Sequence, residues 1–417
     1  MKRYLVLSLL PVLLFWGCSK SNPATVSLDT AAAIAGRILP TGIGATVTAT
    51  QGATVKTVNC DAGGNYRIDG LLVGSCVIEA KAPGFGTYRS TVSMTVGGSV
   101  FQIGDISLAK LPYPISSVSP AYNSEWNSLN TQVFIYFSRP MDKAATEAAF
   151  HITPAVSGYF RWTSNNSVLI FSPSPTFFMI TDTVYTVTLD NTARTADNTA
   201  LEFTMVFPFK TEPFRVTSVS PNYGTTGFWL QSNATIYFTT YSQPNTPVAE
   251  GAVQITPAVP GGMDYTWYGY YVQLRPKIQY WRSNTQYTIM VPTTVTDAWN
   301  HRVFMPCTTV FYTQPARVQS YQPANGQTGV SLNPYLYFYF NTMMDYATVS
   351  SALTVKDTLD SIATIGSSNW YGHYGYFYFN PQLKPQMRYT VRLDTTAADA
   401  YGSKMPLPLT FSFTTGN

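Results

Sequence analysis

Tyr335-Leu-Tyr-Phe-Tyr-Phe-Asn-Thr-Met-Met-Asp345 is an alternating run that ends in a short Met-Asp turn, and the chain writes it three times. The first copy, Thr131-Gln-Val-Phe-Ile-Tyr-Phe-Ser-Arg-Pro-Met-Asp142, carries Phe, Met and Asp in the same register. The second, Asn233-Ala-Thr-Ile-Tyr-Phe238, keeps the run but has Thr239-Thr-Tyr-Ser-Gln-Pro244 in place of the turn. Alternate side chains of a pleated strand face opposite sides. Leu336, Phe338 and Phe340 therefore share one face, as do Val133, Ile135 and Phe137, and Ala234, Ile236 and Phe238. That face is expected to be the core, with Tyr136, Tyr237, Tyr337 and Tyr339 pointing outward.

Other markers recur at the same step. Tyr185-Thr-Val187, Tyr287-Thr-Ile289 and Tyr389-Thr-Val391 lie 102 residues apart. Ser119-Pro120, Ser220-Pro221 and Gln322-Pro323 open the units, and Phe209-Lys-Thr211, Phe311-Tyr-Thr313 and Phe413-Thr414 close them. An Asp follows each Tyr-Thr strand, at Asp197, Asp297 and Asp399. A period of this length matches a whole globular domain rather than a solenoid repeat. Short β-rich runs punctuated by Pro, Gly, Asn and Asp predict antiparallel sandwiches. The best helix candidate is brief, over Asp142-Lys-Ala-Ala-Thr-Glu-Ala-Ala149.

In order, Ser-Pro, Phe-Ser-x-Pro-Met-Asp, Ile152-Thr-Pro154, Phe-x-Pro, Tyr-Thr-Val and Phe-x-Phe-x-Thr resemble the bacterial Ig-like domain of S-layer and other cell-surface proteins. Upstream lies a different β-rich text: Ile34-Ala-Gly-Arg-Ile, Asp61-Ala-Gly-Gly-Asn-Tyr-Arg-Ile-Asp-Gly70, Gly74-Ser-Cys-Val-Ile-Glu-Ala and Ala82-Pro-Gly-Phe85. It resembles the carboxypeptidase regulatory-like (prealbumin-type) β-sandwich, a module that implies no catalytic residues of its own. Lys2-Arg3 followed by apolar Tyr4 to Trp16 reads as a secretory signal, too short to span a bilayer comfortably. Its end, Gly17-Cys18, resembles a lipobox, which implies lipid attachment at Cys18. Ser19 after that Cys implies outer-membrane placement in a two-membrane bacterium. An ordinary secretory signal with an incidental Cys is the competing reading.

The expected fold is all-β, a tandem array of four β-sandwich (Ig-like) domains after a cleaved lipoprotein signal peptide. Residues 1–17 are the signal peptide and 18–30 the lipidated Cys and tether. Residues 31–110 form the regulatory-like sandwich, and 111–212, 213–314 and 315–417 the three Ig-like domains. Strands of eight to ten residues at ~3.3 Å each give a rod on the order of 100 Å. Cys60 and Cys76 fall in one small domain, on strands that an Asp61 hairpin would place side by side, and a disulfide is one reading for an oxidising compartment. Two separate thiols are the other. Cys307 stands alone.

Composition excludes several functions. Lys plus Arg number 25 against 21 acids, and removing residues 1–17 leaves a net charge near +2 with no basic cluster, which argues against nucleic acid. His151, His301 and His373 fall one per unit, without metal-ligand or nucleophile-base spacing. The turn acids supply one carboxyl each, too few to suggest the six to eight oxygens of a calcium site, and are expected to bond their own turn backbone. No enzyme, cofactor or metal is expected. Aromatic surface remains: Trp267, Tyr268, Tyr270 and Tyr271 in the second unit, and Trp370, Tyr371, Tyr374 and Tyr376 in the third. Such residues either hold sugar rings or protein partners, or pair across strands and stabilise the sheet. The chain thus reads as an envelope lipoprotein acting as a structural or adhesive stalk, held to the membrane by its N-terminal lipid. The alternatives are a polysaccharide-binding surface protein, a partner of another envelope protein, and an accessory subunit of a secreted enzyme.

Overall fold

The computed structural model describes residues 31–417 apart from Phe177 and Gln279. The leader, Cys18 and the tether lie outside the described residues. Among those described, no helix is long and apolar enough to cross a membrane.

The third unit shows the plan. One sheet runs Val318–Gln322, Tyr335–Phe340, Tyr374–Phe379, Ile365–Trp370; the facing sheet runs Gln327–Val330, Leu409–Thr415, Arg388–Leu393, Leu353–Asp357. Neighbours are antiparallel except Gln327–Val330, which lies parallel to Leu409–Thr415. Leu336, Phe338, Phe340, Phe377 and Phe379 point between the sheets and bury against Tyr389, Val391, Phe411 and Phe413, as the period-two pattern requires. The second unit repeats this order strand for strand. In the first, the strand corresponding to Gln327–Val330 shrinks to a single parallel bridge, Asn127 to Thr211.

The Met-Asp motif combines a plug with a cap. Met141 and Met344 are buried in their cores. The next residue, Asp142 or Asp345, is the N-cap of a short helix, Lys143–Ala148 or Tyr346–Ala352, and its carboxylate accepts the backbone N–H of Ala145 or Thr348. The second unit, without the motif, starts its helix Thr246–Ala252 at Asn245 with no side-chain cap and with a proline in the first turn.

The first domain packs Asn65–Leu72, Ala31–Leu39 and Val100–Ser107 against a second sheet ordered Thr54–Asn59, Thr46–Gln51, Gly74–Lys81, Tyr88–Met94. The Asp61 turn does not fold one sheet back on itself. It carries the chain from Thr54–Asn59 into the opposite sheet, where Asn65–Leu72 pairs with Ala31–Leu39. Cys60 therefore lies on the outer strand of its sheet, opposite Ala45 at one end of Thr46–Gln51, while Cys76 lies across that strand at its other end, next to Val77, which pairs with Thr50; the two are separated by two strand spacings and by about 20 Å along the strands. A bridge needs Cα atoms within ~7 Å. The disulfide reading is corrected accordingly: Cys60 and Cys76 are free thiols, as is Cys307.

Candidate functional site

The repeated Tyr-Thr and aromatic-Thr markers clamp one loop in every unit. In the first, the Tyr185 hydroxyl accepts the Ile180 N–H at 2.9 Å. The Thr211 hydroxyl donates to the Ile180 carbonyl at 2.6 Å and accepts the Thr183 N–H at 3.0 Å. Tyr287 and Thr313 make the same bonds to Arg282 and Thr285, and Tyr389 and Thr415 to Lys384 and Met387. Burial pushes the Tyr185 and Tyr287 phenols up from their usual range, keeping them protonated. At the tip of the clamped loop stands Thr181, then Ser283 one repeat later, then Pro385.

Thr181 and Ser283 reach into the next unit. Thr181 donates its hydroxyl to Oδ2 of Asp297 and lies 3.1 Å from Nδ1 of His301. Ser283 donates to Oδ2 of Asp399 at 2.6 Å, across the same separation of 116 residues. Both acids are buried, at 0 % and 1 % exposure. Their second oxygens each accept two backbone N–H groups at 2.9 Å, from Trp299 and His301 and from Tyr401 and Ser403. Ser403 returns a hydroxyl bond to the Ser283 carbonyl at 3.1 Å, and Arg282 lies 5.0 Å over the Tyr401 ring. At the preceding joint Phe178 stacks on Tyr241 at 4.0 Å.

Asp297 and Asp399 thus bond their own turn backbone as expected, but Asp197 is not their counterpart. Thr195 occupies the equivalent position, taking the Thr199 N–H on its hydroxyl at 2.9 Å. Asp197 sits two residues further on, exposed, bonded to Thr195, Thr199 and Arg139. The fixed spacing between Thr181 and Ser283 was the signal for the donors, which sequence reading missed.

The histidines do not converge. His301 belongs to the joint, exposed His151 pairs with half-buried Asp190, and His373 packs on Tyr339 and Tyr374. Among the described residues, no cluster of three or more His, Cys, Asp or Glu is placed to hold a metal.

Aromatic surface is concentrated on the outer face of the third unit. Three tyrosine pairs stand in register across two central strands: Tyr335 with Tyr378, Tyr337 with Tyr376, Tyr339 with Tyr374. The rings of Tyr335, Tyr337, Tyr374, Tyr376 and Tyr378 touch along and across the strands, from 5.1 Å between Tyr337 and Tyr376 to 6.5 Å between Tyr335 and Tyr378, and Tyr339 packs on His373 at 5.4 Å. Tyr371 extends the row by stacking on Tyr374 at 4.8 Å. Ser320 and Gln322 flank one side and Ser367 and Asn369 the other, so the face carries no charge. Partial burial, then the neighbouring phenols of Tyr376, Tyr339 and Tyr374, hold Tyr337 above its usual range.

The second unit serves as an internal control. Its register positions hold Asn233 and Arg275, Thr235 and Gln273, Tyr237 and Tyr271. The same sheet forms with one tyrosine pair, so the other two pairs are more than the fold requires. Tyr268, Tyr270 and Tyr271 of this unit form a smaller cluster that reaches Tyr241. Tyr337, Tyr339, Tyr376 and Tyr378 thus face outward on the strands as the alternation implies, and the structure sets Tyr335 and Tyr374 in register with them, so that the candidate aromatic surface lies on the sheet rather than in the turns.

The two tryptophans face the other way. Trp267 stacks on core Phe238 at 6.0 Å and donates its indole N–H to Glu250 on the short helix at 2.7 Å. Trp162 makes the same bond to Glu147 in the first unit. Trp370 lies among Phe340, Tyr346 and Phe377 and covers Gly375, where an added Cβ would come within 2.3 Å of its ring. Both indoles seal the core edge, half-buried, and neither belongs to the tyrosine face.

The carboxypeptidase regulatory-like domain matches residues 33–109. Among solved structures, the I9–I11 tandem of titin is similar over 70% of this chain and 94% of that chain, at 9% identity and a TM-score of 0.23. Invasin, described as a bacterial integrin-binding protein, covers 90% of this chain and 72% of its own, at 12% identity and 0.20. An L,D-transpeptidase from Mycobacterium smegmatis covers 48% and 88%, at 11% and 0.20. Likenesses this distant carry no argument about function. No curated protein matches. The bacterial Ig-like domain matches residues 110–211, 210–313 and 312–415, nearly three quarters of the chain, and to that family the chain belongs.

Proposed function

We propose that the chain is a non-enzymatic stalk of the bacterial cell envelope, fixed to the membrane, in a two-membrane bacterium the outer one, by lipid on Cys18. The reading rests above all on the joint. A hydroxyl from a clamped loop meets a buried, backbone-bonded carboxylate in the next unit, twice, at the same spacing. A flexible tether needs no such bond, because exposed polar linkers keep units independent. Buried bonds that cross the boundary resist bending. The anchor is supported by Gly17-Cys18 behind the charged and apolar leader. Both family matches are to modules without catalytic residues, which agrees with a mechanical role.

Small-angle scattering tests this reading. The wild-type chain is expected to fit a single stiff arrangement, and Thr181→Val/Ser283→Ala, which removes both donors, to broaden the pair-distance distribution while circular dichroism stays unchanged. A wild-type curve that fits only an ensemble of freely hinged units would sink the stalk.

The tyrosine face favours a second reading, that the third unit holds neutral polysaccharide. Phenol rings flanked by Ser, Gln and Asn combine apolar area with uncharged donors and acceptors, which suits sugar rings. Tyr337→Thr/Tyr376→Gln copies the second unit's residues onto the third. Its thermal midpoint is expected to stay within a few degrees, while retention on immobilised neutral glucans falls at least ~tenfold, about 1.4 kcal/mol. Equal retention of variant and wild type, or none by either, would remove the glycan reading.

A further inference from the structure

The regulatory-like domain has four sheet edges, and two of them are blocked. Asn65–Leu72 is bulged against Ala31–Leu39 and capped by side chains: Gln51 bonds both the N–H and the carbonyl of Leu72, and Lys56 bonds the carbonyls of Asp69 and Gly70. The edge strand Thr54–Asn59 has unbroken register and one charge, Lys56, but among the described residues no other segment pairs along it as one does along the fourth edge. Val100–Ser107 is bulged, with Arg37 paired to Asp105. Bulges and inserted charges are the devices by which proteins protect edges. The fourth edge, Tyr88–Met94, has continuous register with Gly74–Lys81, no proline and a single charge.

Strand pairing has already begun along that edge. Tyr122 lies parallel to Tyr88, donating its N–H to the Thr87 carbonyl at 2.7 Å and accepting the Arg89 N–H at 3.3 Å. Because alternate residues of an antiparallel strand bond the same neighbour, Thr91 and Ser93 turn their N–H and carbonyl groups to the open side, as Arg89 does. The chain leaves that edge at Asn123, φ 57°, and the Ser124 N–H returns to Ala121. Beyond it lies a groove of about 750 Å3, floored by Thr91 and Ser93 and walled by Glu125, Trp126 and Phe304. That volume is within the ~300–1,000 Å3 of small-ligand clefts.

Trp126 supplies the second observation. Its φ is 62°, and the corresponding residues of the other two units are Gly227 and Gly329, both at φ 69°. The fold asks for glycine here, since a bulky side chain at positive φ is strained. The first unit instead spends that position on an indole, 44% exposed, standing perpendicular to Phe304 at 5.4 Å. Strained residues gather at binding sites.

We propose that this groove takes an extended peptide segment of a partner protein, which continues the parallel pairing begun by Tyr122 along Thr91 and Ser93 and rests a side chain against Trp126 and Phe304. Main-chain pairing at a free edge supplies affinity and the aromatic wall supplies selectivity. The probe is a random dodecapeptide library displayed on phage and selected on the purified protein. Clones are expected that lose affinity about tenfold or more on Thr91→Pro, which removes the edge N–H, and on Trp126→Gly, which gives the position the residue of its sister units. Trp126→Gly keeps the edge and relieves φ strain, so it reports even if Thr91→Pro folds poorly. Failure to enrich clones, or clones that bind Trp126→Gly as well as wild type, would overturn the proposal. Self-association of wild type abolished by Trp126→Gly in sedimentation would also overturn it, by making the partner a second copy of this chain.

Discussion

Asp399→Ala is expected to destabilise the third Ig-like unit by about 3 kcal/mol and to uncouple it from the second. The variant leaves the Tyr401 and Ser403 N–H groups without the acceptor that holds both at 2.9 Å, and strands the Ser283 hydroxyl from the neighbouring unit. Unsatisfied buried donors cost ~1–3 kcal/mol each, less where water can enter. Asp399→Asn keeps a carbonyl oxygen for the two backbone donors and turns an amide toward Ser283, whose hydroxyl can accept, so it should recover most of the loss. Asp197→Ala is the contrast: an exposed acid with an exposed Arg139 partner should leave the first unit's stability almost unchanged. Hydrogen exchange over Arg388–Leu393 and Leu409–Thr415 reads the outcome. Equal protection in Asp399→Ala and wild type would show that the joint contributes nothing to the unit it enters.

This contrast marks where sequence reading stops. The alternation through Leu336, Phe338 and Phe340 exposes the core directly, because the pleat forces period two. Met-Asp before a short Ala-rich run announces a cap for the same local reason. The joint is not local. It needs Tyr185 and Thr211 to hold a loop, the loop to present Thr181, and a partner 116 residues away. Aligning acids by identity also misplaced the first unit, since Thr195 does with a hydroxyl what Asp297 does with a carboxylate. The cysteines misled for a topological reason: the turn at Asp61 looks like a hairpin, and only the sheet order shows that it changes sheets.

Trp370→Ala is expected to lower the stability of the third unit by about 2–3 kcal/mol, below the range for a fully buried aromatic because the indole is half-exposed. For a domain of this size that moves the midpoint by roughly 10 °C or more. The cause is visible beneath the ring. Gly375 has no side chain, Trp370 lies opposite it in register, and the indole covers the bare backbone between Phe340 and Phe377. An aromatic that covers a strand glycine restores area the glycine cannot bury. The second unit differs at this point, with Val272 opposite Trp267 and Glu250 bonded to the indole. In the third unit the helix position of Glu250 is Ser350, and Tyr346 packs on the indole instead. Trp370→Ala therefore removes a wall of the core along with any ligand contact, and loss of glycan retention in that variant would not separate the two. Trp370→Ala with an unchanged midpoint, measured beside Tyr337→Thr/Tyr376→Gln, would show the indole to be free of the core and return it to the candidate binding surface. A lowered midpoint in the first and an unchanged one in the second places the tryptophan in the fold and leaves the tyrosines as the part of the face the fold does not need.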